Sequence, residues 1–128
     1  MKELLKGLNE SSVLIHEAQV AKGFYDTPRE TGTLLMLMVS ELSEALEADK
    51  KGKFATPMLF EKETTGKSET HWEFMFRTLI KDSHEDEITN TIIRLLDYAG
   101  YKGLDLEWHI EQKLKYNSLR PNKHGKSY

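Results

Sequence analysis

The sequence predicts an all-α fold, a bundle of four to five helices. Apolar residues recur at steps of three and four, the period of one helical face. Only three prolines and eight glycines interrupt 128 residues, which favours long helices over frequent turns. No stretch shows the sustained apolar–polar alternation of a half-buried strand. The length suits one domain spanning residues 1–128, large enough to bury a core without cross-links.

The elements follow in order. Residues 3 to 22 read as a first helix, with Leu4, Leu5, Leu8, Val13, Ala18 and Val20 as apolar positions. Gly23 is its natural stop, because glycine accepts the left-handed cap, and Phe24 to Pro28 form a connector. A second helix begins between Arg29 and Thr33 and runs to Lys51, with Leu35, Met38, Leu42, Ala45 and Leu46 expected on its buried stripe. Lys50 and Lys51 suit the negative end of its dipole, and Gly52 follows as a stop signal. Residues 52–71 mix glycine, proline, threonine and charge, so an irregular insertion or flap is expected there.

Trp72, Phe74, Met75, Phe76, Leu79 and Ile80 form an aromatic-rich segment that suits a short helix. The next helix is the clearest. Asp82 or Ser83 can cap it, acids at 85–87 suit its positive end, and Ile88, Ile92, Leu95, Leu96 and Ala99 make a stripe expected to be buried. Gly100 or Gly103 ends it. A last helix runs from Asp105 to Leu119, with Leu106, Ile110 and Leu114 one turn apart, and Pro121 stops it.

Composition narrows the function classes. With 38% hydrophobic and 30% charged residues the chain is globular rather than disordered. It has no cysteine, so thiolate metal sites and disulfides are excluded and any metal must be held by oxygen or imidazole. The longest apolar run, Leu34 to Val39, is far too short to span a membrane. The start, MKELLKGLNESS, lacks the apolar core of a secretory leader, so a cytoplasmic location is the expectation. A net charge of -3 argues against nucleic acid as the partner. The tail at about 115–128, by contrast, carries bases and no acid.

The carboxylates carry the chemistry. Glu41 and Glu44 lie three apart on the second helix, hence on one face, and Glu87 and Asn90 repeat the spacing on a later one. Two such pairs on facing helices offer four oxygen donors around a small volume. Mg²⁺ and Mn²⁺ prefer oxygen ligands, and clustered carboxylates are costly without a cation. An E-x-x-E on a helix is usually a solvated face. These acids, however, border the apolar stripes: Glu41 lies between Met38 and Leu42, and Glu87 precedes Ile88. Asp97 could join the site or hold Arg94. The histidines at 71, 84 and 109 lack ligand spacing, which speaks against a zinc or di-iron centre.

Three stretches give the pattern a family likeness: AKGFYDTPRETG with SELSEALEADKKGK, then KDSHEDEITNTIIRLLDYAGYKGLDLE, then KLKYNSLRPNKHGK. In this order the chain resembles the MazG-like nucleoside triphosphate pyrophosphohydrolases of the all-α NTP pyrophosphatase superfamily. The family pattern is E-x-x-E on one helix and E-x-x-D on the next. Glu41, Glu44 and Glu87 match it; Asn90 stands where the family has aspartate, which keeps a carbonyl oxygen but removes a charge. The resemblance implies Mg²⁺-dependent hydrolysis of a nucleoside or deoxynucleoside triphosphate to the monophosphate and pyrophosphate. Mn²⁺ would be an alternative ion. Glu41 or Glu44 would orient or deprotonate the water.

The resemblance also implies phosphate or sugar contacts from Lys113 and Asn117, one turn apart on the last helix, continued by Arg120, Lys123 and His124. His16 and Trp72 are the candidate base contacts, each weighed against ordinary surface or core packing. A homodimer or homotetramer is implied, since family members assemble so. Two readings compete with the enzyme: a non-catalytic nucleotide-binding or regulatory helical dimer impaired by Asn90, and a structural helix bundle with solvated acids.

Overall fold

A computed structural model describes residues 5–127, and within them the chain is all-helical, with six α-helices, one 3₁₀ turn and no strand. The helices are α1 (Leu8–Ala21), α2 (Thr31–Lys50), α3 (Pro57–Thr64), α4 (Glu69–Leu79), α5 (His84–Lys102) and α6 (Leu106–Ser118). The 3₁₀ turn spans Asn122–Gly125.

The helix count exceeds the four to five expected, and the difference lies in the region from 52 to 71. Instead of an irregular flap it forms α3 and the start of α4. Pro57 occupies the first turn of α3, where its missing N–H costs nothing. Ser68 caps α4 by accepting the His71 N–H. Between them Gly66 adopts φ +73°, a conformation that favours glycine. Phe60 and Phe76 pack edge-on, Trp72 stacks on Phe76, and His71 Nε2–H donates to the Glu63 carbonyl at 2.8 Å. Polar composition hid a helical hairpin because its apolar side is three aromatic rings rather than a long stripe.

Other boundaries follow local chemistry. The helix expected over 3–22 is interrupted: Leu5 is helical, Gly7 turns left-handed at φ +88°, and α1 begins at Leu8. Leu4 of that expected stripe lies outside the described residues. Gly23 and Gly103 close α1 and α5 with φ of +88° and +65°. Ser83, not Asp82, caps α5: its hydroxyl accepts the Asp86 N–H, and the Asp86 carboxylate accepts the Asp82 N–H one residue before the cap. Asp105 caps α6 through the Trp108 N–H.

The chain divides into two compact units, one of residues up to 27 and from 96 onward, the other of residues 28–95. In the first, α1 packs against the C-terminal half of α5. A Cβ on Gly100 would stand 2.5 Å from the Ser12 carbonyl oxygen, so only glycine allows this approach. Asn9 ties α1 to the start of α6 through Asp105 and Glu107. In the second unit, α2 packs against the N-terminal half of α5. Leu34, Met38, Ala45 and Ala48 of α2 are buried there. The His84 Nδ1–H donates to the Ala45 carbonyl at 2.8 Å, and the His84 N–H donates to the Lys53 carbonyl at 2.9 Å.

Much of the expected apolar stripe is not buried in this single chain. On α2, Met38 and Ala45 are buried, whereas Leu35, Leu42 and Leu46 are exposed, as is Val39. On α5, Ala99 is buried, whereas Ile88, Ile92 and Leu95 are exposed. Leu35, Val39, Leu42 and Leu46 share one face of α2 at helical spacing, and Ile88, Ile92 and Leu95 share one face of α5. The period recorded amphipathicity correctly, but it could not distinguish a face turned inward from one left open.

Candidate functional site

Packing of α2 against α5 brings Glu41, Glu44 and Glu87 together. Their carboxylate oxygens can all lie within 4.8 Å of one another. The three differ in setting. Glu44 is exposed, Glu41 half-buried and Glu87 only 3% exposed. Glu87 therefore does not merely border the stripe; it points into the α2–α5 contact. Its Oε2 is buried without a hydrogen-bond partner, an arrangement that proteins avoid unless something else satisfies the atom. Asn90, one turn along α5, is half-buried.

The cluster cannot hold three free negative charges at this spacing. Burial pushes the Glu87 carboxyl up, and the neighbouring Glu41 and Glu44 carboxylates push it further, to about 8. At neutral pH it keeps a proton. Burial also pushes Glu41 up, but the hydrogen bond shared with Glu87 and the Arg94 guanidinium outweigh this and hold it below the ordinary glutamate value. Arg94 Nε–H donates to Glu41 Oε1 at 3.0 Å. Thus Arg94 serves Glu41, not Asp97. Its place was open to a reader of the sequence, because seven residues after Glu87 put it on the same face of α5.

Asp97 belongs to the other unit. Its Oδ1 accepts the His16 Nδ1–H at 2.9 Å, and its Oδ2 accepts the Tyr25 hydroxyl at 2.7 Å. His16 and Tyr25 meet edge to face, and Tyr101 lies against both. The carboxylate holds the imidazole with Nδ1 protonated. His16 is therefore no casual surface group, and Asp97, Tyr25 and Tyr101 are its setting.

The remaining candidates separate by unit. Lys113, Asn117, Arg120 and Lys123 lie in the unit that contains His16. Lys113 Nζ and the Arg120 guanidinium approach the Tyr116 ring at 5.2 and 5.5 Å. Lys123 is exposed in the 3₁₀ turn with φ +56°. The His124 side chain lies outside the described residues. Trp72 lies in the α3–α4 hairpin of the unit that holds the carboxylates, half exposed and beside Glu69 and Glu73 at the mouth of a hollow of about 570 Å³.

A second cavity, about 340 Å³, is lined by Glu44, Glu47, Ala48, Lys51, Lys53, Asp82 and Glu87. It joins two of the clustered carboxylates to two lysines. The size is at the low end for small-ligand sites. Lys51, Lys53 and Asp82 were not legible as site residues, since α2's last turn and the loops after it read as stop signals and caps.

No family model, curated protein or solved structure matches this chain.

Proposed function

We propose that the chain is a Mg²⁺-dependent nucleoside triphosphate pyrophosphohydrolase. The observation that carries this reading is the buried, unpartnered Glu87 oxygen inside a triad of carboxylates from two helices. The donor set fits a hard divalent cation: all oxygen, clustered, and stable as it stands only by retaining a proton. Glu41, Glu44 and Glu87 would hold the ion, with the Asn90 carbonyl oxygen as a neutral fourth donor. Mn²⁺ satisfies the same chemistry. The motif likeness supplies the substrate class, since acids alone do not choose a triphosphate. The cation supplies charge against the phosphate oxygens and makes water a better nucleophile.

The rest falls to the chain's own residues. Water attacks the α-phosphorus, the bond from that phosphorus to the α–β bridging oxygen breaks, and pyrophosphate leaves with the electron pair. The water proton passes to a carboxylate. Glu41 is engaged by Arg94 and held acidic, which makes it the poorer base. Glu44 is exposed and takes the proton in this scheme. Lys113, Asn117, Arg120, Lys123 and His124 remain candidates for phosphate and sugar, and His16 and Trp72 for the base.

One substitution gives the alternative its force. Asn90 removes a charge from the ligand set, so a nucleotide-binding regulatory dimer without turnover is the second reading. Asn90→Asp should tighten Mn²⁺ binding by roughly tenfold, on the scale of one added charge–metal contact. A titration showing weaker binding would count against Asn90 as a ligand. An assay of pyrophosphate release across ribo- and deoxyribonucleotides separates the two readings: binding without release leaves only the regulatory one.

The open faces of α2 and α5 support self-assembly as a dimer or tetramer, because exposed apolar stripes of this kind mark interaction surfaces. Light scattering should give a mass of two or four chains at micromolar concentration. Leu42→Glu should shift it toward the monomer. A wild-type monomer under those conditions removes this part of the proposal.

A further inference from the structure

The cavity between the end of α2 and the start of α5 presents a charge pattern that the carboxylate triad alone does not explain. Lys53 follows Gly52, which turns left-handed at φ +67°. The Lys53 N–H donates to the Ala48 carbonyl at 2.8 Å, and its own carbonyl accepts the His84 N–H at 2.9 Å. Its backbone is thus clamped between the last turn of α2 and the first of α5. Lys53 lines the cavity with Glu44, Glu87 and Asp82. Lys51 lines it too, paired with Glu47 at 3.3 Å in an exposed bridge of the kind that contributes little to stability. Asp82 is engaged by Lys81 at 3.2 Å. Among the described residues no ion pair holds the Lys53 ammonium.

An exposed lysine on a clamped backbone among carboxylates, held by none of the described ion pairs, suits a ligand that carries its own negative charge next to a cation. Phosphate-chain hydrolysis needs such a group, because charge builds on the leaving phosphates as the bond breaks. We infer that this cavity is a pyrophosphate subsite, in which Lys53, assisted by Lys51, binds the two terminal phosphates of the substrate. The inference rests on the pyrophosphohydrolase reading for the position of the α-phosphate at the triad. It assigns the leaving group to the unit of residues 28–95, independently of the basic tail.

The test uses the full chain with Mn²⁺ and inorganic pyrophosphate as probes. Calorimetry should show metal-dependent pyrophosphate binding that Lys53→Met weakens tenfold or more and Lys53→Arg largely preserves. Affinity for Mn²⁺ alone, read by water-proton relaxation, should stay unchanged in both. Pyrophosphate affinity of Lys53→Met within twofold of wild type overturns the subsite, whatever the chain hydrolyses. A wild-type chain that binds no pyrophosphate with Mn²⁺ overturns it as well. Binding that depends on Lys53 in a chain that cleaves no triphosphate would uphold the subsite and defeat the hydrolase reading, so the two fail separately.

Discussion

Glu44→Ala should abolish pyrophosphate release, lowering kcat/KM by about three orders of magnitude or more, as expected when a residue serves both as metal ligand and as proton acceptor. The fold should survive. Glu44 is exposed on α2, and the buried contacts beside it come from Met38, Ala45 and Ala48. Loss of activity with an unchanged thermal melt would therefore locate the defect in chemistry. Glu44→Gln makes the test sharper, since it retains an oxygen donor but cannot take the proton. It should bind Mn²⁺ more weakly yet measurably, and still fail to turn over. Turnover in Glu44→Ala equal to wild type would remove the proposed site altogether, because no other residue is placed at both the triad and the lysine-lined cavity except the buried Glu87.

The second large effect is a pH dependence centred on Glu87. Its carboxyl is raised from 4.5 to about 8 in the folded chain. The unfolded chain releases this proton first, so between these values the folded state binds more protons than the unfolded. Stability from this group is full below about pH 4.5 and is lost as the pH rises through about 8. The melting temperature of the metal-free protein should therefore fall from pH 5 to 8, and Glu87→Gln should flatten that fall. Metal must displace the same proton. Mn²⁺ affinity should rise up to about tenfold per pH unit below about pH 8 and level off above it. Calorimetry at pH 7 in buffers of different ionisation enthalpy should count about one proton released per ion. Release of none would mean that Glu87 is not a ligand.

Residue by residue, the sequence was informative where a signal is local. Gly23 and Gly52 follow helix ends where stops were expected, and of Gly100 and Gly103 it is Gly103 that does so; all three adopt positive φ. The spacing of Glu41 and Glu44, and of Glu87 after them, placed acids on faces that do meet. The α3–α4 hairpin was missed because three rings, Phe60, Trp72 and Phe76, make its core, and rings at these intervals leave no long periodic stripe. Asp97 was one of two options for Arg94, and the structure pairs Arg94 with Glu41 instead, for a different reason. Asp97 is nearer in sequence, but along a helix a three-residue neighbour is only one option, and Glu41 on α2 lies within reach across the helix pair.

By itself, then, the sequence determined the helical class, most helix ends and which residues could offer oxygen to a metal, since these depend on backbone propensity, caps and the helical period. Only the tertiary structure decided how those residues differ. Burial made Glu87 a proton holder, Arg94 held Glu41 acidic, and exposure left Glu44 free to act. It also turned half of the apolar stripe outward and set Lys53 beside the acids. Such differences arise from desolvation and from neighbours distant along the chain, and no spacing rule encodes either.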